Sequence, residues 1–269
     1  VAQENAAIRR ELMKKLFALP YAILVHGGLD PRRFLQSICG IPSFARDLFS
    51  YLVRAKGEAR ALPIGAIFPI LSDRFQQSGE VRGHYFHQDM WAARKIFRAN
   101  PVRHVDIGSS LSGFISHLLV FRSVEVVDVR PLSSEVGGLI FVQSDATDLK
   151  EFESNSLESI STLHAAEHFG LGRYGDPVDP VAHLKFMSAL TRVLRPGGRL
   201  YYAVPSGREK LYFNAHRVLA PETVLNGFRG LSLVSFSCVK DDGNLYEDCA
   251  PEIVSRESYG CGLYEFTKV

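Results

Sequence analysis

Apolar and polar positions fall into two regimes along this chain. Up to about residue 79 there is no alternation of strands with helices. Residues 2–19 space their apolar side chains as an amphipathic helix does, with Arg9, Arg10, Lys14 and Lys15 on a basic face. Residues 31–55 predict one or two more helices, interrupted at 40–42 where Gly and Pro stand, and the Gly- and Pro-rich stretch 57–69 reads as a connector. From residue 83 the pattern becomes helix alternating with apolar strand, the mark of a mostly parallel sheet covered on both faces. Helices are predicted at 88–99, 112–121 and 181–194, and strands at 102–107, 123–129, 139–143, 157–163, 198–204, 231–239 and 262–268. The expectation is therefore α/β: a Rossmann-like, seven-stranded, mostly parallel sheet over residues 81–269, preceded by a helical extension over residues 1–80. The last two strands, separated by the polar loop 240–259, suit an antiparallel hairpin at one sheet edge.

Composition narrows the classes. At 269 residues and 46% hydrophobic content the chain can bury one large core and a modest second element. Its 31 basic and 29 acidic residues are interspersed, giving a net charge of +2 and no broad electrostatic footprint for nucleic acid. Cys39, Cys238, Cys249 and Cys261 include no C-x-x-C pair and read as reduced thiols of a cytoplasmic protein; a bridge from Cys249 to Cys261 is the disfavoured alternative. The apolar run at 16–25 is about ten residues long and contains a proline, against the ~20 that a membrane helix needs, so no transmembrane segment is expected. An opening Val1 is compatible with a targeting segment removed ahead of it. The basic helix face is most simply solvated, with an acidic partner or a membrane surface as the alternatives, and the N-terminal helices offer a surface through which copies could form a homo-oligomer.

Candidate chemistry concentrates at 159–180, SISTLHAAEHFGLGRYGDPVDP, where a short apolar strand ends in His164, Glu167 and His168 before a Gly-rich, acidic loop. Strand ends are where α/β enzymes place their chemistry. One helical turn after the strand would put both imidazoles and the carboxylate on one side, as metal ligation requires. His216, in Phe213-Asn214-Ala215-His216-Arg217 after the following strand, could complete a set of three imidazoles and one carboxylate. That mixture suits Mn, Fe, Co, Ni or Zn better than Mg. The same three histidines, His164, His168 and His216, are the candidates for catalysis.

A second constellation occupies earlier strand ends. Asp106, Gly108, Ser109 and Ser110 lie in a strand-to-helix turn of small residues, whose backbone can approach a ligand at a helix N-terminus. Asp128 and Val129 end the next strand, where a carboxylate can take both hydroxyls of a ribose, and Asp145 and Ala146 end the third, placed to read an adenine edge. Individually each acid could be a loop cap; jointly they outline a nucleoside site.

The DIGSS turn, Asp128, SDA at 144–146 and LRPGGRLYYAVP at 194–205 together resemble the class I S-adenosylmethionine-dependent methyltransferases over residues 83–269. One departure is that Ser110 and Ser112 stand where that family commonly has glycine. GHYFHQDMWAARKI, HAAEHFGLGRYGDPVDP and FNAHR further resemble a methyltransferase-like family of unknown function linked to surface-polysaccharide biosynthesis. The His164, Glu167, His168, His216 pattern is similar to the metal site of small-RNA 2′-O-methyltransferases, with His164 in place of a glutamate.

The resemblance implies S-adenosylmethionine as cofactor and a metal-assisted O-methyltransferase acting on a vicinal diol, with a saccharide as the acceptor; it also implies that the segment of His84, Tyr85, His87 and Gln88 folds over the cofactor, Gln88 or Tyr85 touching it, the alternative being a plain helix start with Asp89 in its first turn. Arg173, Tyr174, Asp176 and Asp179 are then the substrate candidates, although Asp176-Pro177 and Asp179-Pro180 are equally turn and helix-start chemistry. The rival readings are a histidine-based small-molecule methyltransferase without metal, a non-catalytic scaffold, and a zinc peptidase. A strand before H-x-x-E-H and Gly170 soon after it argue against the last. His26, His104, His117 and His183 have no partner pattern and are read as structural or exposed.

Overall fold

The computed structural model describes residues 24–25, 27–76, 79 and 81–269. The helix expected over residues 2–19, its basic face and His26 lie outside the described residues. The chain divides between residues 80 and 81 into two units. In the first, α1 (Pro31–Ala55) starts at Asp30, whose carboxylate accepts from the backbone N–H groups of Arg32 and Arg33, with Pro31 in the first turn where it displaces no hydrogen bond. The break expected at 40–42 does not occur: α1 is one 25-residue helix running through Pro42. Gly40 serves packing instead, since a Cβ there would stand 2.1 Å from the carbonyl oxygen of Leu71. Residues 61–71 hold no regular element, as the connector reading expected.

The second unit is the α/β body. Its strands are β1 (Val105–Ile107), β2 (Val124–Asp128), β3 (Leu139–Gln143), β4 (Leu157–Leu163), β5 (Leu194–Ser206), β6 (Lys210–Tyr212), β7 (His216–Val218), β8 (Ser232–Val239), β9 (Leu245–Tyr246) and β10 (Gly260–Thr267). Helices α2 (His84–Ala99), α3 (Ser116–Leu119), α4 (Ala182–Val193) and α5 (Pro221–Gly227) accompany them. The main sheet has the order β3-β2-β1-β4-β5-β10-β8-β9; β1 to β5 pair in parallel and β10 runs antiparallel to both its neighbours.

As expected, the last two long strands, β8 and β10, pair antiparallel at one side of the sheet, with β10, buried along nearly its whole length, next to β5 and half-exposed β8 outside it. The strand count is corrected. The sheet gains an eighth strand, the two-residue β9, and a separate hairpin, β6–β7, lies just beyond β5.

Alternation along β5 builds the core on both faces. Leu200, Tyr202 and Val204 point to one side and pack with Phe186 and Leu190 of α4 and Val224 of α5. Tyr201 and Ala203 point to the other, with Trp91 and Ile96 of α2 and Phe114 and Leu118 near α3. Each fully buried side chain of this size contributes about 1.5–3 kcal/mol relative to exposure. The two helical layers thereby fix the carboxyl ends of β1, β2, β3, β4 and β5 at one mouth of the sheet, and antiparallel β10 brings its first residues there as well.

Candidate active site

The turn after β1 is shaped by exclusion. Gly108 has φ +71°, and a Cβ there would stand 2.9 Å from the Cβ of Ala165, so only glycine fits. Asp106 lies beneath the turn, fully buried, and accepts from Ser109 N–H at 3.1 Å, Ser109 Oγ at 2.7 Å and Ser161 Oγ at 2.5 Å. Burial pushes its acid up to about 7 in spite of those bonds. Asp106 therefore holds the turn from below and lines neither cavity at the mouth, contrary to its expected cofactor contact. Gln88 is likewise absent from both walls: it is buried in α2 beside Asp89, and its neighbour Tyr85 faces the cavity instead. Ser110, at the position where glycine is usual, caps the helical turn Leu111–Ile115 by accepting from Gly113 N–H.

Gly108, Asp128, Val129, Asp145 and Ala146 converge on a cavity of about 350 Å3 that also takes in Thr147 and Lys185. Asp128 is forked by Arg130, with Nε to Oδ1 at 3.0 Å and Nη2 to Oδ2 at 2.6 Å, and the Arg130 guanidinium lies 4.8 Å from the ring centre of Tyr174. Asp145 accepts from Thr147 N–H at 2.9 Å, an Asx turn that leaves its second oxygen free of the backbone. The small-residue cradle, the two strand-end carboxylates and the excluded Cβ at Gly108 fit an adenosine-bearing cofactor.

A second cavity of about 690 Å3 adjoins the first, sharing Gly108, Asp128, Arg130, His164, His168 and Tyr174. Ser109, Ser110, Glu167, Arg173 and His216 complete the predicted residues on its wall. His164 follows β4 with φ +53°, a left-handed backbone that a bulky side chain seldom adopts, and its N–H donates to Ala203 C=O at 2.9 Å. A short 3-10 turn, Ala166–His168, carries the other two groups. Arg217 clamps that turn: buried, it donates to the carbonyls of Phe169 at 2.6 Å and Glu167 at 3.3 Å.

Electrostatics at this wall follow from burial. Glu167 is 1% exposed, its acid is raised to about 8 by desolvation, and its Oε2 has no hydrogen-bond partner. His168 is lowered to about 4 by burial; Nδ1–H donates to Ala215 C=O at 2.6 Å, leaving the Nε2 lone pair 3.7 Å from Glu167 Oε1. His164 and His216 are also lowered, first by burial, and His216 Nε2 has no partner. Near neutrality all three imidazoles are neutral acceptors and Glu167 is protonated.

The loop after the turn divides its residues between two roles. Asp176 is consumed locally, accepting from the N–H groups of Gly170 at 2.8 Å, Gly172 at 3.3 Å and Tyr174 at 3.1 Å, and Asp179 binds Lys185 Nζ at 2.7 Å. Both border the smaller cavity while serving as turn chemistry. Arg173 and Tyr174 face the larger one. His104 is structural, bonded to Ser159 and Ser161 inside the sheet, and Cys249 Sγ lies 3.8 Å from Cys238 rather than beside Cys261.

The donor chemistry of the expected metal set suits a cation, as the unpartnered Glu167 Oε2 and His216 Nε2 indicate. Its four ligand atoms do not gather at one point. Among the described residues, the three ligand atoms that do lie within 4.8 Å of one another belong to His84, His164 and Cys261. His84 and Cys261 escaped sequence reasoning. The available signal was topological: an antiparallel last strand starts at the mouth, so Cys261, the second residue of that strand, belongs with the site rather than with the loop.

This strand order, with the glycine turn after β1 and acids after β2 and β3, is the class I methyltransferase fold, a Rossmann-like α/β sheet. In particular, the chain superposes on the [4+2]-cyclase SpnF with a TM-score of 0.50 at 14% identity, over 82% of this chain and 93% of that one. It is also similar to the 1,6-didemethyltoxoflavin-N1-methyltransferase of Burkholderia thailandensis, solved with S-adenosylhomocysteine (TM-score 0.48, 15% identity, 67% of this chain and 78% of that one). The N-methyltransferase NodS of Bradyrhizobium japonicum, in complex with S-adenosylhomocysteine, gives 0.47 at 14% identity, over 68% and 87% of the two chains. In sequence, residues 138–242 match the family described as Caenorhabditis protein of unknown function, DUF268. No curated protein matches the chain in sequence. None of the helices among the described residues is long and apolar enough to cross a membrane.

Proposed function

We propose that this chain transfers the methyl group of S-adenosylmethionine to a hydroxyl oxygen, with a vicinal diol of a saccharide as the acceptor class. The observation that carries the reading is the union of the two cavities. One wall presents Asp128, Asp145 and the Gly108 turn to a nucleoside; the next presents neutral imidazoles where the methyl group would emerge. Arg130 must leave Asp128 for a ribose diol to take its place, and its stacking on Tyr174 gives it an alternative seat.

In this reading His168 is the base. Its Nδ1–H is committed to Ala215 C=O, so the Nε2 lone pair faces the acceptor. A base of pKa about 4 suffices, because the acceptor oxygen becomes strongly acidic only as its bond to carbon forms, and the proton leaves late. Arg173 and Tyr174 orient the acceptor, the tyrosine ring offering a face to a sugar. A divalent transition ion bound at this wall would supply positive charge to two neighbouring hydroxyls, and within the expected set Glu167 Oε1 and His168 Nε2 stand 3.7 Å apart. The non-catalytic alternative draws support from the Arg130–Asp128 fork, which closes the nucleoside end on itself.

Calorimetry with S-adenosylhomocysteine, followed by transfer of labelled methyl from S-adenosylmethionine to saccharides with and without vicinal diols, tests the reading. Cofactor binding with transfer only to diol-bearing acceptors supports it; absence of cofactor binding leaves the scaffold.

A further inference from the structure

We propose that His84, His164 and Cys261 form a transition-metal site just behind the wall of the larger cavity, which His164 lines. The three come from separate elements: the first turn of α2, the end of β4 and the start of β10. With one ligand atom from each residue, the three lie within 4.8 Å of one another, and His84 Nδ1 is 3.1 Å from His164 Nε2. Tetrahedral coordination at ordinary metal–nitrogen and metal–sulfur lengths sets such atoms roughly 3.3–3.6 Å apart, so closure needs shifts of about an ångström.

An orienting contact accompanies the set. His84 Nε2–H donates to Tyr259 C=O at 3.0 Å and its ring stacks on Tyr259 at 4.9 Å, which fixes the tautomer and leaves Nδ1 as a lone pair aimed at His164. His164 is 7% exposed and Cys261 fully buried, and burial drives the imidazole toward neutrality and holds the thiol protonated. An ion entering the set exchanges for the thiol proton: the metal–sulfur bond forms, one proton is released, and His164 turns a ring lone pair to the ion by tautomer exchange. Two imidazoles and a thiolate favour Zn or Co over Mg. Of the three only His164 lines the cavity, so a fourth ligand would be water or another small molecule reaching the ion past that ring. The site deepens the metal part of the proposed function and rests on it only for its use, replacing Glu167, His168 and His216 as ligands.

Cobalt(II) titration of the full chain, with absorption spectra recorded, tests the assignment. The expected result is one equivalent bound, intense visible bands of tetrahedral type, and a near-ultraviolet sulfur-to-cobalt charge-transfer band. Cys261→Ser should lose the charge-transfer band, and His84→Ala should weaken binding by about a hundredfold or more, beyond what loss of a merely orienting partner gives. Cobalt bound without that band, binding insensitive to His84→Ala, or no binding would each overturn the site. Loss of affinity in Glu167→Gln but not in His84→Ala would move the ion to the other residues. S-adenosylhomocysteine calorimetry on each variant confirms folding and separates the two proposals: cobalt binding without cofactor binding keeps the metal site and defeats the methyl-transfer reading, and the reverse defeats the metal site.

Discussion

Glu167→Gln is expected to make the protein progressively more stable than wild type as pH rises. In the folded chain Glu167 holds its proton up to about pH 8, against an ordinary value of 4.5. The unfolded chain releases that proton above the ordinary value, so in the interval between the two the unfolded state binds fewer protons and stability falls as pH increases. The displacement of about 3.5 units amounts to about 5 kcal/mol in full, of which about 3–4 kcal/mol is expressed between pH 5 and pH 8. Glutamine keeps the shape and cannot ionise. Every other group titrates alike in the two proteins and drops out of the difference. Urea unfolding with a chelator present, followed by the fluorescence of Trp91, the single tryptophan and part of the buried core, measures it. The stability of the variant relative to wild type should rise by about 3 kcal/mol from pH 5 to pH 8. A difference that is the same at both values would refute the reasoning, since it would mean that Glu167 ionises inside the fold without penalty.

Other substitutions divide the roles. Asp128→Ala should weaken S-adenosylhomocysteine binding by about ten- to a hundredfold in calorimetry, the loss of hydrogen bonds to a charged group. His168→Ala should lower kcat by about 10²–10⁴ with cofactor affinity unchanged, and wild-type kcat should fall on the acid side only as pH approaches about 4, where this imidazole takes up a proton. Gly108→Val should abolish cofactor binding and destabilise the fold by about 1–3 kcal/mol from the left-handed backbone alone, before any clash with Ala165, in thermal unfolding.

Periodicity made the sheet legible because its central strands are apolar runs buried on both faces, as β5 is at Leu200, Tyr201 and Tyr202. It also gave the antiparallel pairing of β8 with β10 but not their order outward from β5, since that order is decided by which edges remain unsatisfied after collapse. The helix break at Gly40 and Pro42 was misread because local propensity carries no information about Leu71, thirty-one residues along, packing against that glycine. At the site, motif spacing brought His164, Glu167, His168 and His216 to one cavity wall. Spacing alone was silent about His84 and Cys261, which reach His164 from 80 and 97 residues away in sequence. Asp106 illustrates the converse: its position in the turn suggested a ligand contact, while its burial makes it a support.

Arg217 sits on β7 beside His216 and grips the carbonyls of Glu167 and Phe169, while His168 reaches back to Ala215 from the opposite side. These ties work like crossed bolts joining two plates. The hairpin and the turn cannot part without breaking both, so one jaw of the cleft is rigid and travels as a piece. Opposite it, the half-exposed side chains of Arg130 and Tyr174 stack on each other, with Arg130 also forked onto Asp128. A guest entering on that side therefore meets side chains, which can turn aside one bond at a time, where on the bolted side it would have to part backbone from backbone.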